Sequence, residues 1–207
     1  MTCRETGMPT RPSTSLGCMK ERHDSHATTD DPGISRRIQI ATYNSAWPML
    51  FERQATRIRD ALKEAALRIE HVGSTSVPGL TAKPVIDIHL AVQNSADENT
   101  YGPPLEKAGF RLIVREPGWF EHRMYVDLGP EVNLHVFSKG CPELARCRLF
   151  RDWLRIDQAD RVLYSQVKQA LALREWDHVN DYADAKRGVI NEIMARAEEW
   201  SRRGCIT

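Results

Sequence analysis

Beyond residue 37 the chain shows two hydrophobic rhythms, one of period two and one of period three to four. Ile38, Ile40 and Tyr43 alternate with polar neighbours and predict a short edge strand. The Asn44-Ser45 pair then reads as the cap of a helix whose apolar stripe is Trp47, Leu50, Phe51, Ala55, Ile58, Ala61 and Leu62. Leu67, Ile69 and Val72 predict a strand that ends at Gly73, and Gly73 to Leu80 is a loop by composition. The strongest strand signal is Val85 to Val92, which starts just after a proline that a central strand could not hold. A helix around Pro104 to Ala108, strands near Phe110 to Val114 and Glu121 to Val126, and an alternating strand from Glu131 to Phe137 follow. From Pro142 the pattern turns helical. One stripe is Leu149, Phe150, Trp153 and Leu154; a second is Val162, Tyr164, Val167, Leu171 and Leu173. A long last helix runs from Tyr182 through Val189, Ile190, Ile193, Met194 and Ala197 to Trp200. This order predicts a single α+β domain over residues 37–202: a mixed sheet with packed helices and a helical C-terminal third.

Residues 1–36 change that picture at one end. They are rich in Thr, Ser, Pro, Arg and Asp and carry no hydrophobic period. Such a stretch buries too little apolar surface to offset its ordering entropy, so it is expected to be a disordered leader. In the chain as a whole, 29 basic residues nearly balance 28 acidic ones. That balance gives no footprint for nucleic acid or an anionic membrane, so any phosphate must be met by a local basic cluster. No apolar run approaches the roughly 20 residues needed to span a bilayer. The five cysteines include no Cys-x-x-Cys pair, which points to a reducing compartment and a cytoplasmic protein. Nothing in the sequence fixes an oligomeric state.

The candidate chemistry lies between Gly73 and Asp87. On the strand after Pro84, Ile86, Ile88 and Leu90 point one way, and Val85, Asp87 and His89 the other. A carboxylate within an apolar strand is costly unless it is paired, hydrogen-bonded or metal-bound. Asp87 and His89 share a face about 7 Å apart along the strand and can converge on one ion. In the loop, Gly73 permits close backbone approach, while Ser74, Thr75 and Ser76 offer hydroxyls and amides to phosphate oxygens. Lys83 stands at the open end of that loop. Arg151 and Arg155, four apart on one helix face, could clamp an anion, with Arg123 and Lys186 as further candidates. Each has a plainer reading beside it. Asp87 could serve only to fix the turn, the arginines could pair with Asp152, Asp157 and Asp184, and His71 and His135 could be packed core histidines.

The run from Glu70 through His71-Val72-Gly73-Ser74-Thr75-Ser76-Val77-Pro78-Gly79-Leu80 to Ile88 resembles the signature stretch of the GrpB family. Asn133 to Phe137 resembles that family's second block, Phe150 to Arg155 its third, and Tyr182 and Lys186 its last helix. The resemblance runs from about Ile40 to Ala197 and implies a nucleotidyltransferase-like fold. Related domains occur fused behind bacterial dephospho-CoA kinases. By that likeness, Gly73 and Ser74 match a turn that holds a nucleotide triphosphate, and Asp87 matches the first of two metal-binding carboxylates. His89 falls where the second carboxylate belongs, and His135 lies on a candidate for the strand that carries a third.

The implied function is binding of a nucleotide or another phosphorylated small molecule, with nucleotidyl transfer to a hydroxyl or amine as the reaction. Asp87 or His135 would accept the proton, and Mg²⁺ or Mn²⁺ on Asp87 and His89 would serve as cofactor. Because Mg²⁺ prefers hard oxygen ligands, His89 in the second position also predicts an alternative, a non-catalytic binding or accessory domain. A third reading, metal-dependent hydrolysis, requires Asp87, His89 and His135 to surround one ion.

Overall fold

The computed structural model describes residues 38–127, 132–176 and 179–204, with the side chains of residues 179 and 180 left out of the description. The expected leader lies outside those residues.

The sheet has five strands. These are β1 (Arg68–Val72), β2 (Ile86–Val92), β3 (Phe110–Glu116), β4 (His122–Asp127) and β5 (Val132–Ser138), arranged in the order β1-β2-β5-β4-β3. β2 and β5 pair in parallel at the centre, and every other pairing is antiparallel. The helices are α1 (Trp47–Leu62), α2 (Gly102–Lys107), α3 (Pro142–Ile156), α4 (Gln158–Ala172), α5 (Val179–Ala185) and α6 (Arg187–Arg202). This is an α+β domain with a mixed sheet and a helical C-terminal third.

The two faces of the sheet differ in chemistry because side chains alternate along β2 and β5. Ile86, Ile88, Leu90 and Val92 stand beside Val132, Leu134 and Val136 on one face. They form the main core with Trp47, Ile58 and Leu62 of α1 and Leu105 of α2, all buried. Each such aliphatic side chain contributes about 1.5–3 kcal/mol on burial. On the other face Asp87, His89 and Ala91 stand beside Asn133, His135 and Phe137. Over that face the C-terminal helices build a second cluster: Phe150 and Leu154 of α3, Tyr164 of α4, and Ile190, Ile193 and Met194 of α6. Its floor is Val77 and Leu80, so the helical third packs onto the loop after β1 and leaves a hollow beneath.

Four local expectations change. The edge strand at 38–43 reduces to one antiparallel bridge between Ala41 and Ala82, a single pair of backbone bonds. Asn44 does not cap α1; its Oδ1 accepts from the Ala46 amide in a local turn, and Ala46 occupies the cap without a side-chain bond. The last helix divides at Lys186, whose amide tightens to a bond with the Ala183 carbonyl before α6 begins. The stripe on α4 is also rotated. Asp160, Tyr164 and Lys168 are the buried positions, whereas Val162 is 46% exposed and Leu173 is 89% exposed. Polar groups with specific partners occupy the inner face there, and hydropathy alone cannot register them. Among the described residues no helix is long and apolar enough to cross a membrane.

Candidate functional site

β1 ends at Gly73, which turns the chain with φ +70° and ψ −177°, a conformation that only glycine adopts readily. A single 3₁₀ turn, Ser74–Ser76, follows. The Asp87 carboxylate lies directly against this glycine: a β-carbon there would meet Asp87 Oδ2 at 2.2 Å. The glycine therefore both makes the bend and leaves space for the acid. Asp87 Oδ1 accepts a 2.8 Å hydrogen bond from Asn133 Nδ2, its partner in the β2–β5 register. His135 Nε2 stands 4.0 Å from the same oxygen.

The loop hydroxyls divide into two groups. Thr75 Oγ1 donates to the Val85 carbonyl at 3.0 Å and also meets His71 Nε2 at 3.0 Å. Ser76 Oγ donates to the Gly73 carbonyl at 2.6 Å. Both residues are buried and fasten the bend from inside. Ser74, in contrast, turns to the cavity and accepts from Lys168 Nζ at 2.9 Å. Lys168 also donates to the Thr81 carbonyl and lies over the Tyr164 ring, so this buried ammonium ties α4 to both ends of the loop. From α3, Arg151 donates to the His71 carbonyl at 3.0 Å and Arg155 to the Ser76 carbonyl at 2.9 and 3.1 Å.

The cavity between this bend and the helices measures about 50 Å³. Gly73, Ser74, Asp87, His89, His135, Arg151 and Lys186 supply its polar lining, and Val77, Phe150, Leu154 and Tyr164 much of the rest. Two lining side chains are cations, Arg151 and Lys186, against one acid, Asp87. His89 is 2% exposed, and burial holds its pKa well below the ordinary histidine value, with His135 adding to the effect, so it is neutral near pH 7. His71 packs flat on Phe51 of α1 with ring centroids 4.8 Å apart, on the core side of β1; burial lowers its pKa to about 4.

The structure thus brings Gly73, Ser74, Asp87, His89, His135, Arg151 and Lys186 to one hollow. It does not bring Thr75, Ser76, Lys83 or Arg155 to the lining. Arg123 lies on the opposite side of the sheet, where it pairs with Glu98 at 2.6 Å. Sequence reasoning missed Lys168, Asn133 and His122. Asn133 carried a signal, since it shares a face with His135 on an alternating strand; the others become visible only through the pairing of distant elements.

The metal expectation meets a poor donor set. Among the described residues no group of three or more His, Cys, Asp or Glu side chains is placed to hold an ion. Asp87 is the only carboxylate in the lining, and hard divalent ions favour several oxygens. Among the described residues Asp87, His89 and His135 do not form a group placed to hold an ion, which weighs against metal-dependent hydrolysis.

Comparison with known proteins places these features in a wider group. The family model described as GrpB protein matches residues 37–196. A UPF0157 protein of Halalkalibacterium halodurans is 56% identical over 160 residues, covering 77% of this chain and 82% of that protein. A protein named dephospho-CoA kinase, from Mycolicibacterium paratuberculosis, is 27% identical over 190 residues; the match covers 79% of this chain and 47% of that protein. Among solved structures, the conserved protein GrpB of Enterococcus faecalis matches with a TM-score of 0.69 and 29% identity, covering 78% of this chain and 99% of that one.

Proposed function

The chain belongs to the GrpB protein family, and from that premise we propose that it binds a phosphorylated small molecule, a nucleotide foremost, in the hollow beneath the C-terminal helices. The observation that carries this reading is the convergence of the Gly73–Ser74 bend with Arg151 and Lys186 on one small cavity. Glycine lets a phosphate oxygen approach the backbone, Ser74 offers a hydroxyl, and Arg151 and Lys186 bring basic groups to the lining, Arg151 while it also pairs with Asp152 at 2.7 Å. A cavity of about 50 Å³ seats a few waters or a phosphate-sized group, whereas whole drug-sized ligands occupy about 300–1,000 Å³. The phosphate end therefore enters, and the rest of the ligand lies toward the mouth. The relatives named dephospho-CoA kinase support a nucleotide-containing partner.

Nucleotidyl transfer is the finer reading, favoured by the proximity of His135 to Asp87. An acceptor hydroxyl or amine would lose its proton to His135 or Asp87 and bond to the α-phosphorus. The bond from that phosphorus to the bridging oxygen would break, its electron pair leaving with pyrophosphate. Because the donor set does not suit a resident metal pair, a divalent ion enters only as the nucleotide's own companion, and no step is routed through it. The non-catalytic reading rests on His89 standing in place of a second carboxylate. Thermal unfolding with ATP, GTP, CTP and UTP, each with Mg²⁺, with Mn²⁺ and with chelator, tests the proposal. A rise in midpoint with at least one nucleotide is expected; no rise with any of them contradicts nucleotide binding.

A further inference from the structure

The inner face of α4 repeats every four residues, and it is polar at both ends: Asp160, Tyr164 and Lys168. Lys168 is the member that reaches the glycine–serine bend. It is 2% exposed, and its Nζ donates to Ser74 Oγ at 2.9 Å and to the Thr81 carbonyl. The same Nζ stands 4.5 Å from the centroid of the Tyr164 ring, a face that suits a cation. Three residues before Lys168, Ser165 Oγ meets Thr81 Oγ1 at 2.6 Å. The helix therefore grips the far end of the loop twice, and the near end only through the bond to Ser74.

The direction of that bond is fixed by the lysine. An ammonium has three N–H donors and no lone pair, so the serine oxygen must accept. A serine hydroxyl has one hydrogen and two lone pairs. With a lone pair held by Lys168, the hydrogen of Ser74 points elsewhere. The other two hydroxyls of the loop behave in the opposite way: Thr75 and Ser76 give their hydrogens to the Val85 and Gly73 carbonyls. Ser74 lines the hollow, and among the described lining residues Lys168 is absent. A hydroxyl that accepts from a cation is also polarised by it, which makes its own O–H a stronger donor.

We propose that Lys168 is a positioning residue: it holds the Ser74 oxygen so that the Ser74 hydroxyl faces the hollow as a donor to a phosphate oxygen. This deepens the proposed function and rests on it for the phosphate. It adds that the buried ammonium acts through Ser74 and not by touching the ligand. The arrangement favours an anionic acceptor at that point over a group that only donates, such as an ammonium.

A double-mutant cycle on the full chain tests this, with inorganic phosphate as the probe and phosphorus NMR as the measure of binding. Ser74→Ala and Lys168→Met should each weaken binding about tenfold, the usual cost of a hydrogen bond to a charged group. Together they should weaken it by about the same tenfold, because the lysine acts through the hydroxyl. A purely structural or long-range electrostatic lysine would instead give about a hundredfold loss in the pair. That result, or wild-type affinity in Lys168→Met, overturns the proposal and leaves the phosphate reading intact. No binding to the wild-type chain overturns both. Should Lys168→Met fail to fold, Ser74→Cys carries the test, since a thiol in contact with an ammonium titrates below its ordinary value of about 8.5. Thiolate absorbance, taken as the difference from wild type, should rise below that pH; a rise at or above it overturns the proposal.

Discussion

The two faces of β2 and β5 carry the same backbone and opposite chemistry. On one, Ile86, Ile88, Leu90, Leu134 and Val136 close against α1 and α2 with almost no solvent contact. On the other, one residue away along each strand, Asp87, His89, Asn133 and His135 border a hollow. Both faces are well covered, yet the cover of the first is mainly apolar. The second is held by cations reaching in from α3 and α4 to backbone carbonyls and a serine hydroxyl. Burial on the first face serves stability, and burial on the second orients polar groups around a space.

Neighbouring substitutions on β2 separate the two roles most sharply. Ile88→Ala should lower stability by about 2–5 kcal/mol, the usual cost of a large-to-small change in a tight core. Asp87→Asn, one position away, retains an acceptor for Asn133 and should change stability by less than about 1 kcal/mol while impairing ligand binding. Chemical denaturation of both variants checks this, and a comparable loss from Asp87→Asn would mean that the acid is a structural member.

Gly73→Ala comes next, at about 3 kcal/mol, because it combines a disfavoured backbone conformation with a clash against the Asp87 carboxylate. Thermal unfolding should register this loss, and a neutral result would show that the bend can relax.

Acid sharpens the comparison differently, since it acts on groups from both faces. His71 on the core side and His122 on the site side are both held to about 4 by burial, against an ordinary value of 6.5. Between those values the unfolded chain binds protons that the native chain does not, so stability increases with pH across the window. It should be complete above about pH 6.5 and fall, by on the order of a few kcal/mol, as pH drops toward 4. Denaturant midpoints across this range, repeated for His71→Gln, should give a shallower slope in the variant; identical slopes would assign the effect to other groups.

The smallest effect is expected at the turn that carries Trp119. Phe120 and Glu121 have φ of 54° and 51°, and the His122 amide bonds back to the Trp119 carbonyl, a tight turn that favours Asn-Gly. Glu121→Gly should raise stability by about 1 kcal/mol, measured by the same denaturation, with a loss indicating that the contact of Glu121 with Arg123 outweighs the strain.

Much of the first face was legible in the sequence, because Ile86, Ile88 and Leu90 alternate and α1 repeats at three and four. The acid at Asp87 and the bend at Gly73 were legible for a related reason: each breaks a strong pattern. What stayed hidden depends on distant pairing. Lys168 is buried by its bonds to Ser74 and Thr81, which no periodicity encodes; of the stripe read on α4, Tyr164 is buried as expected, whereas Val162 and Leu173 are exposed. Glu116 meets His122, through a 2.9 Å contact, in a β3–β4 register that shifts between Leu112 and Val114, and no alternation in the sequence encodes that shift. The hydroxyls of Thr75 and Ser76 looked equivalent to that of Ser74, yet the 3₁₀ turn sends two of them inward.

The most direct measurement of the central claim is a calorimetric titration of ATP into the wild-type chain and into Lys186→Met, which keeps the length of a buried side chain but removes its charge. Saturable binding in the wild type, weakened at least about tenfold in a variant of unchanged fold, is the result expected if the hollow receives phosphate. Heats that match between the two proteins, or no heat in either, would contradict it.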